Sequence, residues 1–201
     1  MQKVKVSLIG YGYWGTKLAR NFQNSNFFNL VSIIDTSKKN LNIAKKDFPL
    51  VRTDKNYKDI SKIKNLSLIV ISTPTKTHSK IAEFALKNGY HVLVEKPLSL
   101  SLNDVNKLEK LAQKSKKLLF VDYPFLFSGS INYIKKIIDS KKYGDLLEIE
   151  SFREQAPIRK DCNVVWDLCV HDISILNYLL NKNPKSFRSL KVKNLNSSLA
   201  D

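Results

Sequence analysis

Short unbroken apolar runs alternate with stretches of helical period along the first 122 residues. Val4 to Ile9 reads as a strand, Trp14 to Asn24 as a helix, Leu30 to Ile34 as a strand, and Ser37 to Phe48 as a helix capped by its leading serine. Leu66 to Ile71 and Tyr90 to Val94 are two further runs of strand length. Between them Thr77 to Lys87 places Ile81, Phe84 and Ala85 at helical spacing. Ser101 to Lys116 predicts another helix, with Ser101 three residues ahead of Asp104 in the manner of a capping box. Leu118 to Val121 is the last buried-looking strand. Strands that are apolar on both faces and alternate with helices specify a parallel, doubly wound α/β sheet.

The rhythm changes after Asp122. A helix is predicted from about Ser130 to Ser140, and Val165 to Leu180 reads as a second. Asp145 to Phe152 and Ser186 to Val192 alternate apolar with polar, the pattern of half-exposed antiparallel strands. The expected organisation is therefore residues 1–122 as a dinucleotide-binding domain and 123–201 as part of a second domain, an incomplete α+β unit with an open antiparallel sheet. Two helices and two strands cannot cover their own sheet. The expectation is either a fragment of a longer chain or a protein that completes its sheet by pairing with a partner.

The formal charge of +16 comes almost entirely from Lys distributed along 201 residues. No basic stripe carries interleaved aromatics for stacking bases, so the charge reads as a solvated surface and nucleic acid is not an expected partner. Cys162 and Cys169 lack metal-ligand spacing, no metal site is expected, and both read as free thiols. No apolar stretch is long enough to span a bilayer. These features together place the chain, as an expectation, in the cytoplasm and away from membranes.

Gly10, Gly12 and Gly15 form G-x-G-x-x-G directly after a strand and at a helix start, where small residues let backbone amides approach a pyrophosphate. Asp35 ends the second strand about 20 residues later, the position of a carboxylate that holds the adenosine ribose hydroxyls. Together they favour NAD over NADP, whose 2′-phosphate the carboxylate repels; Lys38 and Lys39 soften that repulsion. Asp35 could also be no more than a cap on the next helix. Ser72 to His78 then forms a loop with Pro74, opening a helix whose first amides are available to a cofactor. His78 by itself reads more readily as a hydrogen-bonding residue of the helix start than as a catalyst.

Lys96 follows the apolar run His91 to Val94 inside Glu95-Lys96-Pro97. A long cationic side chain at the carboxyl end of a buried parallel strand stands at the edge where open α/β sheets bind ligands. Further on, Asp167 and His171 lie four apart on a helix and so share a face. A carboxylate and an imidazole in that relation suit proton transfer with an alcohol, or an ordinary helix ion pair.

The ordered set G-x-G-x-x-G, Asp35, S-T-P-x-x-x-H, H-V-L-V-E-K-P and W-D-L-x-x-H-D resembles the Gfo/Idh/MocA oxidoreductases, which include sugar and inositol dehydrogenases. The resemblance covers nearly the whole chain. It implies an N-terminal Rossmann domain and a C-terminal domain whose open antiparallel sheet often carries the dimer contact, hence a homo-oligomer if that sheet is complete. It further implies that Lys96 contacts the nicotinamide region and the reacting hydroxyl, that Asp167 helps hold substrate, and that His171 accepts the proton. On the cofactor side the expected residues are Gly10, Gly12, Tyr13, Trp14, Gly15 and Asp35, with Thr73, Pro74, His78, Glu95 and Lys96 beyond the switch of the sheet. Lys96, Tyr123, Arg159, Asn163, Asp167 and His171 are expected on the substrate side, and Arg153 and Lys160 could assist with an anionic group. Two departures stand out: Cys169 and Val170 occupy positions where similar segments carry a small residue and a proline, and family chains are far longer.

The activity implied is hydride transfer between NAD and a secondary alcohol carbon of a sugar, inositol or nucleotide sugar. The alternative is an NAD-binding protein without turnover, a ligand sensor or relic on the same fold.

Overall fold

The computed structural model describes residues 2–154 and 164–190. Contacts divide the chain into two compact units, Met1–Asp122 and Tyr123–Asp201.

The first unit is built on six parallel strands: β1 (Val4–Ile9), β2 (Phe28–Ile34), β3 (Arg52–Asp54), β4 (Leu66–Ile71), β5 (His91–Glu95) and β6 (Leu119–Asp122). Their spatial order is β3-β2-β1-β4-β5-β6, so the sheet grows to one side from β1 and then to the other from β4. That reversal opens a crevice at the carboxyl ends of β1 and β4. Helices α1 (Tyr13–Gln23), α2 (Lys38–Asp47), α3 (His78–Lys87) and α4 (Leu102–Ser115) connect the strands.

Successive strand residues alternate between two cores. Ile9, Ile34, Ile69 and Ile71 pack with Ile81, Ala85 and Leu86 of α3 and Leu108 of α4. Their neighbours Leu8, Ile33 and Val70 point the other way, to Ala19 and Phe22 of α1 and Ala44 of α2. Covering both faces explains why the strands are apolar without interruption; each buried Leu, Ile or Val contributes about 1.5–3 kcal/mol. The buried Ser7 and Ser32 are register partners across β1 and β2, and their hydroxyls satisfy each other at 2.5 Å. Caps follow the sequence signals: the Ser37 hydroxyl accepts from the Asn40 amide, and that of Ser101 from the Asp104 amide.

The second unit contains a 3₁₀ turn (Pro124–Phe127), α5 (Gly129–Ser140), a π-helical turn (Val165–Cys169) and α6 (Val170–Leu180). The Tyr178 hydroxyl of α6 donates to Asn132 of α5 at 2.5 Å. The antiparallel strands expected from Asp145 to Phe152 and from Ser186 do not form within residues 145–152 or 186–190. A strand exists only through its ladder, and these segments have none. Leu147, Phe152 and Phe187 are accordingly exposed. Only Asp167 and Leu179 of this unit are buried among the described residues.

Candidate active site

The three glycines differ in what demands them. Gly10 has φ +96°, and a Cβ there would overlap the Ser72 carbonyl; a Cβ on Gly15 would overlap the Gly10 carbonyl. Those two allow the loop after β1 to press against the loop after β4 and against the first turn of α1. Gly12 has no such neighbour: nothing lies within 4 Å of where its Cβ would be. As the residue capping α1, with no side-chain cap on that helix end, it leaves amides facing open space at the positive end of a helix dipole. That open place beside the helix start is a cradle a dinucleotide phosphate fits and a side chain would obstruct. Tyr13 and Trp14 flank it, both exposed, stacked edge to face, with the Lys17 ammonium 4.0 Å and 4.4 Å from their ring centres.

Asp35 stands at the end of β2 with its carboxylate turned to the same loop. Oδ2 accepts from the Tyr11 amide at 2.7 Å and from the Asn40 side chain at 3.1 Å, while Oδ1 accepts from the Ser37 amide at 2.7 Å. Asp35 therefore does cap the approach to α2, and it also fixes the glycine loop through Tyr11. Three of about four lone-pair sites are used, which leaves acceptor capacity for a hydroxyl. Tyr11 was not anticipated as part of the site. Its amide reaches Asp35 because it lies between two glycines, and its buried hydroxyl donates to Asp47 at 2.7 Å, which together with burial raises its pKa.

On the other side of the crevice, Thr73 and Pro74 form the loop leaving β4, and Thr77 Oγ1 lies 2.7 Å from both Thr73 Oγ1 and the Pro74 carbonyl. His78 is buried, with Nε2 2.7 Å from the Thr73 carbonyl oxygen and Nδ1 2.9 Å from that of Pro97. Both ring nitrogens are thus committed to the main chain, and the ring meets the cofactor loops through backbone rather than by facing a ligand.

Lys96 follows β5 at the carboxyl edge of the sheet. Glu95 and Asp122 are register partners at the ends of β5 and β6. Burial pushes the Glu95 carboxyl up to about 7, and the Asp122 charge adds to the rise against the opposing effect of Lys96. Burial raises the Asp122 carboxyl as well.

In the second unit Asp167 lies in the π-helical turn and is buried, while His171 sits one turn later in α6. Single π turns recur at functional sites. The Phe125 ring packs edge-on against His171 at 4.9 Å between centres, and the Arg153 guanidinium lies 4.7 Å from the Phe125 centre. Arg153 donates from two nitrogens to Asp172, at 2.9 Å and 3.0 Å, and Ser151 donates to the same carboxylate at 2.8 Å. These partners hold the Asp172 carboxyl below its ordinary range against the opposing effect of burial. Arg153, expected as a ligand-binding cation, is instead committed to Asp172. Burial, and then Asp172, raise the Cys169 thiol, so it is a poor nucleophile. Burial also raises the Tyr123 hydroxyl. Arg159, Lys160, Asn163 and Cys162 lie outside the described residues.

Residues 4–123 match the oxidoreductase family with an NAD-binding Rossmann fold. The chain belongs to the Gfo/Idh/MocA family. A relative from Comamonas testosteroni, 1-carboxy-3-chloro-3,4-dihydroxycyclohexa-1,5-diene dehydrogenase, is 31% identical over 148 residues, which cover 74% of this chain and 37% of the relative. The myo-inositol 2-dehydrogenase of Thermotoga maritima is 26% identical over 186 residues, 89% of this chain and 55% of that one. Among solved structures, myo-inositol 2-dehydrogenase from Lactobacillus plantarum superposes with a TM-score of 0.77 at 26% identity, over 89% of this chain and 56% of that chain. The chain thus spans between about a third and somewhat over half the length of these relatives. Among the described residues no helix is long and apolar enough to cross a membrane, and no group of three or more His, Cys, Asp or Glu could hold a metal.

Proposed function

We propose that this Gfo/Idh/MocA member is an NAD-dependent dehydrogenase that oxidises a secondary alcohol of an inositol, sugar or nucleotide sugar, and that Lys96, Asp167 and His171 perform the chemistry. The observation that carries the cofactor half is the open space at Gly12, set between two glycines that packing requires. Gly12 would admit the pyrophosphate to the amides of α1, Asp35 would accept from the adenosine ribose, and Thr73 and Pro74 would line the opposite wall. A carboxylate at Asp35 favours NAD over NADP.

Bound nicotinamide supplies the hydride acceptor. The chain's part is to place the alcohol and manage its proton. Lys96, cationic beside the reacting oxygen, would stabilise the charge that develops as the C–H bond breaks. His171 would take the hydroxyl proton, so the products are a ketone, reduced cofactor and a protonated imidazole. Asp167 and Tyr123 would hold neighbouring hydroxyls, with Arg159 and Asn163 candidates for the far end of the substrate. The relatives named as inositol and UDP-N-acetylglucosamine dehydrogenases support the substrate class.

Lys96→Ala in the full chain should lower turnover by roughly 10³-fold, the usual scale for losing one charge-stabilising donor, with NAD affinity nearly unchanged. Near-normal turnover in the variant sinks the role given to Lys96. NAD binding without reduction on a polyol panel favours the second reading, a cofactor-binding sensor.

A further inference from the structure

His171 is the second residue of α6 and only partly buried. A helix restricts its side chain to two orientations about χ1 but leaves χ2, the turn of the ring itself, broad. The ring nitrogens therefore sweep an arc unless something flanks the imidazole. Proton transfer tolerates little sweep, because it needs heavy atoms about 2.6–3.2 Å apart.

Phe125 supplies a flank. Its ring stands at 81° to the imidazole with centres 4.9 Å apart, the perpendicular arrangement that aromatic quadrupoles favour. Phe125 is held in that place from two directions. The Arg153 guanidinium lies over its ring, 4.7 Å from the centre, and Arg153 is itself fixed by its paired bonds to Asp172, the chain neighbour of His171. On the backbone side, the Asn132 side chain donates to the carbonyl of Leu126, the residue after Phe125, at 3.2 Å and accepts from the Tyr178 hydroxyl. Tyr178 stands two turns beyond His171 on the same side of α6. Both supports of Phe125 thus return to the helix that carries His171.

We propose that Phe125, backed by Arg153, is a positioning residue that sets the orientation of the His171 ring. Phe125 acts through His171, and Arg153 acts through Phe125. The catalytic consequence rests on the reading of His171 as proton acceptor; the orienting contact does not.

Carbon-13 NMR of the three histidine rings in the full chain reads that orientation directly. The three-bond couplings across χ1 and χ2 of His171 should report a single state in wild type; averaging among several overturns the proposal before any variant is made. Phe125→Leu stays apolar and loses the ring, so it should average those couplings while His78 and His91 keep theirs. Phe125→Tyr should restore the single state. A His171 ring that keeps one orientation in Phe125→Leu, or does not recover it in Phe125→Tyr, overturns the role of Phe125. Arg153→Lys leaves a cation for Asp172 without the flat group over Phe125 and should loosen the ring to a lesser degree; couplings identical to wild type overturn the backing. With NAD and a panel of inositols and sugars, Phe125→Leu should lower kcat by roughly 10²-fold, the scale of a 1 Å misplacement, with KM for NAD unchanged. A raised KM for NAD at undiminished kcat overturns the positioning role. If wild type oxidises nothing on the panel, the proposed function fails, and the couplings still decide this inference by themselves.

Discussion

Replacing Glu95 by Gln removes a titrating group from the carboxyl edge of the sheet while keeping its shape and one acceptor. The folded carboxyl is raised from 4.5 to about 7, first by burial and then by the charge of Asp122. Between those values the folded chain holds a proton that the unfolded chain has released. Stability therefore falls as pH rises through the window, the sense opposite to that of a salt-bridged carboxylate. At roughly 1.4 kcal/mol per tenfold in proton affinity, the contribution is at most about 3 kcal/mol, present below pH 4.5 and lost above pH 7. Urea unfolding of wild type and Glu95→Gln, each at about pH 4 and about pH 8, isolates Glu95 together with its coupling to Asp122, since the remaining titrating groups are common to both. The variant should match wild type at the lower pH and exceed it at the higher by up to about 3 kcal/mol, or roughly 6–12 °C in Tm. Equal pH slopes in the two proteins would refute the burial argument for Glu95.

The glycine loop separates packing from binding. Gly10→Ala should cost roughly 2–4 kcal/mol, because it combines a positive φ with overlap onto the Ser72 carbonyl, and thermal melts will register it. Gly12→Ala should change Tm little yet weaken NAD binding at least tenfold by calorimetry; unchanged affinity would detach the open space from the cofactor. Asp172→Ala strips Arg153 and Ser151 of their shared acceptor and should destabilise the second unit by about 1–3 kcal/mol, read by its urea midpoint, whereas a neutral result would mean the ion pair is ornamental.

Periodicity located nearly every element of the first unit because its strands are buried on both faces and its helices on one. β1 and β4 begin and end where their apolar runs do. β3 escaped because Arg52, Thr53 and Asp54 form a short polar edge strand, held to β2 by backbone pairing that no hydrophobic signal records. In the second unit the alternation at Asp145 to Phe152 misled for the converse reason: the pattern states which face a strand would bury, and only a neighbouring strand makes the ladder. The π turn at Val165–Cys169 leaves no mark in a sequence that reads as ordinary helix.

At the site, the glycines and Asp35 were legible from spacing, since the chemistry of a helix N-terminus dictates it. Which of the glycines packing requires was not, because that depends on atoms of Ser72 brought in from β4. His78 and Arg153 were legible as polar residues near the right loops. Their commitment to carbonyls of Thr73 and Pro97, and to the Asp172 carboxylate, comes from residues 5 to 19 positions away.

Transfer of the carbinol hydrogen tests the central claim most directly. The full chain is incubated with NAD and a panel of inositols, pyranoses and nucleotide sugars deuterated at their carbinol carbons, and the recovered cofactor is weighed by mass spectrometry. The account predicts that at least one substrate delivers deuterium to nicotinamide in wild type and that Lys96→Ala slows the transfer by roughly 10³-fold. Cofactor that binds yet returns unlabelled across the whole panel would contradict it.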